Sequence, residues 1–104
     1  KQYMKKIIDG RLYDTDTAKF VGSFDNGYEG NDFRYEAGNL YRKKTGEFFL
    51  HGWGGPMSSY AETYGTTTTG GEVLRPLSID EAKKWVEYHL SAEKYIKLFG
   101  EVEE

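Results

Sequence analysis

The chain has 104 residues, with seventeen acids against fourteen lysines and arginines for a net charge of −3. It has no cysteine, which excludes disulfides, thiolate metal sites and thiol nucleophiles. A mean hydropathy of −0.74, with no apolar run beyond four residues, argues against a membrane span and a signal peptide.

The length fits one domain, residues 1–104, and the mild acidity argues against direct nucleic-acid binding. Nine Tyr, six Phe and two Trp are too many aromatics for a disordered chain.

The first two thirds read as strands and turns. Residues 3–8 and 11–13 flank Asp9 and Gly10, the pair that a type I′ hairpin turn prefers. Residues 14–17, Asp-Thr-Asp-Thr, favour a turn through their short side-chain oxygens. Residues 18–24 alternate, with Ala18, Phe20, Gly22 and Phe24 expected on one face and Val21 on the other. Residues 25–32 read as a loop.

Residues 39–44 and 47–53 flank Thr45 and Gly46, which predicts a second hairpin. Phe48, Leu50 and Gly52 fall on one face of its second strand and Phe49, His51 and Trp53 on the other. Bulky groups on both faces predict a central strand. Residues 66–69, four threonines before two glycines, read as a mobile loop; the alternative is that these β-branched residues extend a strand, which the surrounding glycines disfavour. Residues 72–75 predict a last short strand stopped by Pro76.

The period then changes. Ser78 and Glu81 form a capping box ahead of an apolar stripe at Ile79, Ala82, Trp85, Val86 and Leu90. Ser91 caps a second helix with Ala92, Tyr95, Ile96 and Phe99 on one face, and Gly100 ends it. Residues 101–104 are an acidic tail expected to fray. The composite is an α+β fold, an antiparallel sheet of five or six strands with both helices packed on one face. Trp85 is expected to be mostly buried against Phe48 or Leu50.

Catalytic signals are few. His51 and His89 are the only imidazoles. His51 stands among Gly52, Gly54 and Gly55, which reads either as a ligand-binding turn or as an edge strand end, and sequence spacing gives it no catalytic partner. No metal-ligand spacing, phosphate loop or G-x-S-x-G motif occurs, so no metal, cofactor or nucleophile is expected. Acid pairs such as Asp14/Asp16 or Glu29/Asp32 read as solvated loops.

The charge distribution carries the functional lead. Residues 1–13 hold four bases and one acid, whereas residues 14–39 hold six acids and two bases. Within the acidic stretch Asp25, Glu29, Asp32 and Glu36 alternate with Tyr28, Phe33 and Tyr35. Acids with aromatic anchors between them suit a basic surface on another protein. The expected partner-binding residues are therefore Asp25, Tyr28, Glu29, Asp32 and Glu36; the plainer alternative is a solubilising loop.

Several segments together resemble a known family: residues 5–18 (KKIIDGRLYDTDTA), Asn31-Asp32-Phe33, residues 40–50 (LYRKKTGEFFL) with Gly52 to Gly55, and residues 76–82 (PLSIDEA) before Trp85. They are similar to small proteins of phages and conjugative elements of Gram-positive bacteria, over about residues 5 to 90. Such elements carry anti-CRISPR inhibitors of type II effector nucleases. The resemblance implies a non-enzymatic inhibitor in the bacterial cytoplasm that binds a host defence protein. It carries over no functional residue. Two alternatives are a small nucleic-acid hydrolase centred on His51 and nearby acids, and a plain interaction module of the element.

Overall fold

The computed structural model describes residues 4–104; the expected first strand residue, Tyr3, lies outside them. The order is β1 (Lys5–Ile8), β2 (Arg11–Asp14), β3 (Lys19–Asp25), β4 (Glu36–Arg42), β5 (Phe48–Gly54), β6 (Glu62–Tyr64), β7 (Thr67–Thr69), β8 (Gly71–Leu77), α1 (Ile79–His89) and α2 (Ala92–Phe99). The fold is α+β and every strand pairing is antiparallel. No helix among the described residues is long and apolar enough to cross a membrane.

The strand count departs from expectation. The main sheet has four strands, in the order β3-β4-β5-β8, and two separate two-stranded sheets join β1 to β2 and β6 to β7. The β1–β2 hairpin turns where Asp9 and Gly10 both take positive φ, 51° and 77°, as a type I′ turn requires. The hairpin stands apart as its own sheet and covers one end of the main sheet instead of extending it. Thr67–Thr69 of the threonine run form β7, paired to β6 in a hairpin, and only Thr66 of the run lies in the turn. β8 runs on through Pro76 to Leu77 because it is an edge strand, where a missing N–H costs no ladder bond on the open side.

β5 is central, with β4 on one side and β8 on the other. Its alternation divides two cores. Phe48 joins Val21, Leu40, Ala82 and Val86 beneath the helices, with Leu77, Trp85, Leu90, Tyr95, Leu98 and Phe99 packed around them. Phe49 joins Tyr13, Tyr41 and Leu74 beneath the β1–β2 hairpin. Each large apolar side chain buried in this way contributes about 1.5–3 kcal/mol. Trp85 packs on the cluster that contains Phe48 but is only partly buried.

Two facing assignments are corrected. A register shift between Phe20 and Gly22 is a β-bulge, and it turns Val21 into the helix-side core while Phe20 is 47% exposed against Tyr41. In the helices, Ile79 stands half exposed and Ile96 about a third, neither joining the core, and Leu98 packs inward. The capping box closes at both ends: Glu81 N–H donates to Ser78 Oγ and Ser78 N–H donates to Glu81 Oε1. Such caps contribute about 1 kcal/mol each.

Candidate functional site: a His–Glu cleft beside an acidic edge

The register of the main sheet builds a cleft on the face away from the helices. β4 and β5 place Asn39 opposite His51, and β5 and β8 place Trp53 opposite Glu72. Alternation puts these four side chains on one face. The β1–β2 hairpin covers this face at the Phe49 end and leaves it open at the Trp53 end. Gly30 and Tyr35 from the loop after β3 and Glu62, Gly70 and Gly71 from the β6–β8 region complete a cleft of about 760 Å³. Volumes of this size are usual for ligand sites.

The glycines at its rim are obliged by chain packing. A Cβ on Gly71 would lie 1.9 Å from the Tyr60 carbonyl oxygen, and one on Gly70 would lie 2.5 Å from that of Gly54.

His51 is 4% exposed and forms part of the lining. Its Nε2 lies 2.6 Å from Glu72 Oε2, so the ring donates its Nε2–H to the carboxylate. His51 Nδ1 is buried with no hydrogen-bond partner among the described residues. The Trp53 ring lies 4.9 Å from the imidazole. The reading of His51 as an edge residue without a catalytic-type partner is thus corrected. It sits in the central strand, and Glu72, 21 positions away, is its partner. Every formally charged residue lining the cleft, Glu62 and Glu72, is acidic. Among the described residues no three His, Cys, Asp or Glu gather closely enough to hold a metal.

The residues expected to bind a partner lie along the adjoining edge. Asp25 ends β3, where its Oδ1 accepts from Gly27 N–H at 2.8 Å. Tyr28 is exposed beneath the Arg34 guanidinium, 4.2 Å from its ring centre. The Glu29 side chain is exposed and has no ion pair among the described residues.

Asp32 and Glu36 are engaged within the chain. Arg34 donates to Asp32 from Nε and Nη2, both at 3.0 Å, and from its backbone at 2.7 Å. These bonds hold the Asp32 carboxyl below its ordinary range and raise Arg34. Glu36 Oε1 accepts from Ser59 N–H and Oγ at 2.8 and 2.9 Å.

Beside these acids stand two exposed apolar side chains, Phe33 at 63% and Met57 at 67%. Met57 N–H donates to the Phe33 carbonyl at 2.7 Å, which ties the two segments together. Sequence reasoning named Phe33 but missed Met57, Asn39, Glu62 and Glu72. The alternation of β5 put His51 and Trp53 on one face, and only the pairing with β8 brings Glu72 to them.

Comparison with family models, with curated proteins and with solved structures finds no match to the chain.

Proposed function

We propose that the chain is a non-enzymatic inhibitor of a host defence protein, docking through residues 25–36 and Met57 onto that protein's positively charged nucleic-acid-binding surface. The observation that carries this reading is the exposed pair Phe33 and Met57, held together by a backbone bond and flanked by the acids of the edge. Exposed apolar anchors inside a net-acidic rim suit a complementary partner: the rim steers encounter and the anchors hold. The resemblance to mobile-element proteins directs the partner to a type II CRISPR effector nuclease, whose guide and target strands lie in a basic channel.

The test is inhibition of target cleavage by a purified effector. Asp25→Lys with Glu29→Lys should relieve inhibition, whereas reversal of Glu101, Glu103 and Glu104 should leave it intact. Neither edge acid makes an ion pair among the described residues; Asp25→Lys also removes the acceptor of Gly27 N–H, so Glu29→Lys alone, with circular dichroism of the double variant, separates loss of charge from loss of the turn. Phe33→Ser should weaken inhibition at least about tenfold, as loss of a central anchor does. Exposed substitutions of this kind shift stability by less than about 0.5 kcal/mol. Equal inhibition by the edge and tail reversals would overturn the proposal.

One observation favours the hydrolase reading. The 2.6 Å contact of His51 with Glu72 is the arrangement of a general base with its orienting carboxylate. The residues lining the cleft include no Ser, Thr or Lys, and this reading takes water, activated by the His51 ring, as the attacking group. Multiple turnover on nucleic acid, lost in His51→Gln, would establish this second reading in place of the first.

A further inference from the structure

We propose that the cleft over His51 and Glu72 is a receptor for a guanidinium group, an arginine side chain presented by a peptide chain. The site is a cavity with a buried polar floor. His51 is 4% exposed and its Nδ1 has no partner among the described residues. Two features select the ligand's charge and shape.

The first is electrostatic. Glu62 and Glu72 line the cleft and no Lys or Arg does, so a cation entering it meets only attraction. His51 occupies Oε2 of Glu72, and Oε1 makes no hydrogen bond among the described residues. The Asn39 side chain, which also lines the cleft, likewise has no hydrogen-bond partner among them. These acceptors are spread along the wall, where a fork of N–H donors reaches more of them than a point charge does. A metal ion would need a tighter cluster, and none is present among the described residues.

The second is the aromatic wall. Trp53 and Tyr35 line the cleft. A planar guanidinium stacks on an indole face and still directs its N–H groups sideways to carboxylates, which a tetrahedral ammonium cannot do equally well.

The bearer of the cation is argued from continuity. Gly30 and Tyr35 belong both to the cleft and to the loop of the acidic edge. A basic protein seated on that edge lies beside the cleft mouth, so a peptide arginine is the natural occupant. This last step rests on the proposed docking edge; the choice of guanidinium does not.

The test is a titration followed at the indole N–H resonances, with Trp53 in the cleft wall and Trp85 on the helix face as an internal reference. The probe is a capped Gly-Gly-Arg-Gly-Gly peptide. Saturable movement of the Trp53 signal with Trp85 unmoved is expected. The citrulline peptide, equal in shape and uncharged, should bind at least about tenfold more weakly, and the lysine peptide should also be weaker.

Glu72→Gln keeps an acceptor for His51 and removes the charge, and it should weaken arginine binding by about fivefold or more. Circular dichroism of the variant separates loss of fold from loss of charge, and Glu62→Gln provides a second charge removal away from His51. Equal binding of arginine and citrulline peptides, an unchanged Glu72→Gln, or no saturable Trp53 shift would overturn the site. Equal binding of the lysine peptide would overturn the guanidinium assignment. Free agmatine binding as tightly as the peptide would overturn the peptide bearer and assign the cleft to a small molecule. Failure of the Asp25 and Glu29 reversals in the inhibition assay, with arginine binding intact, would remove the docking edge and keep the cleft.

Discussion

His51 and Glu72 are diagonal neighbours on adjacent antiparallel strands, His51 standing opposite Leu74 and Glu72 opposite Trp53, and their side chains close a 2.6 Å hydrogen bond across the step. The bond gives a buried ring its only side-chain hydrogen bond among the described residues.

The stability of the main sheet should therefore depend on an acceptor at position 72. Glu72→Ala leaves both ring nitrogens of His51 without a protein partner and should cost about 1–2 kcal/mol. Glu72→Gln retains an acceptor and should cost clearly less. Urea denaturation midpoints compare the two, and equal midpoints would mean that the bond does not hold the strand pair.

The glycines of the main sheet should differ sharply in tolerance. A Cβ at Gly71 meets the Tyr60 backbone oxygen at 1.9 Å, and backbone cannot step aside cheaply. A Cβ at Gly22 meets Leu90 Cδ1 at 2.7 Å, the far end of a flexible side chain. Gly71→Ala should cost more than about 3 kcal/mol, in the range of severe overpacking, and Gly22→Ala about 1 kcal/mol. Thermal unfolding of the two variants ranks them; the reverse order would show that the β6–β8 segment gives way more readily than the helix.

The helix face should respond to pH through His89. Its ring packs against Phe24 at 3.9 Å and Trp85 at 4.8 Å. Burial lowers its pKa from the ordinary 6.5, against a smaller opposing pull from Glu36. The unfolded chain then binds more protons than the folded one in the window just below 6.5, so stability rises with pH there. The contribution is fully present above that window and is lost as pH falls through it toward the folded value. His89→Phe should remove this slope between about pH 7 and 5, leaving the carboxylate losses at lower pH. Parallel stability–pH curves for wild type and variant would refute the assignment.

Much of the local structure was legible because local rules decided it. Asp9-Gly10 set a turn, Ser78 with Glu81 set a helix start, and the double-sided apolar pattern of residues 48–53 marked the central strand. What escaped depended on distant residues. In the β6–β7 hairpin β7 is exposed threonine and β6 is short and polar at its one half-buried position, Glu62, so no buried alternation betrays it. The bulge at Val21 inverts a facing pattern that strict alternation cannot signal. The cleft was half legible: His51 and Trp53 shared a face from the start, while Glu72 and Asn39 reach it only through a register set by the assembled sheet.

The bulge and Pro76 have a joint consequence for how this molecule meets others. β3 and β8 are the two open borders of the main sheet, each seven residues long. On β3 the bulge breaks the spacing of backbone donors and acceptors; on β8 Pro76 offers no donor at all. A foreign strand laid along either border finds an interrupted row of partners and pairs with the sheet less well than along a regular edge. Backbone templating, the indiscriminate way for one β-protein to capture another, is blunted on both sides. Recognition is left to side chains, which can tell one partner from the next.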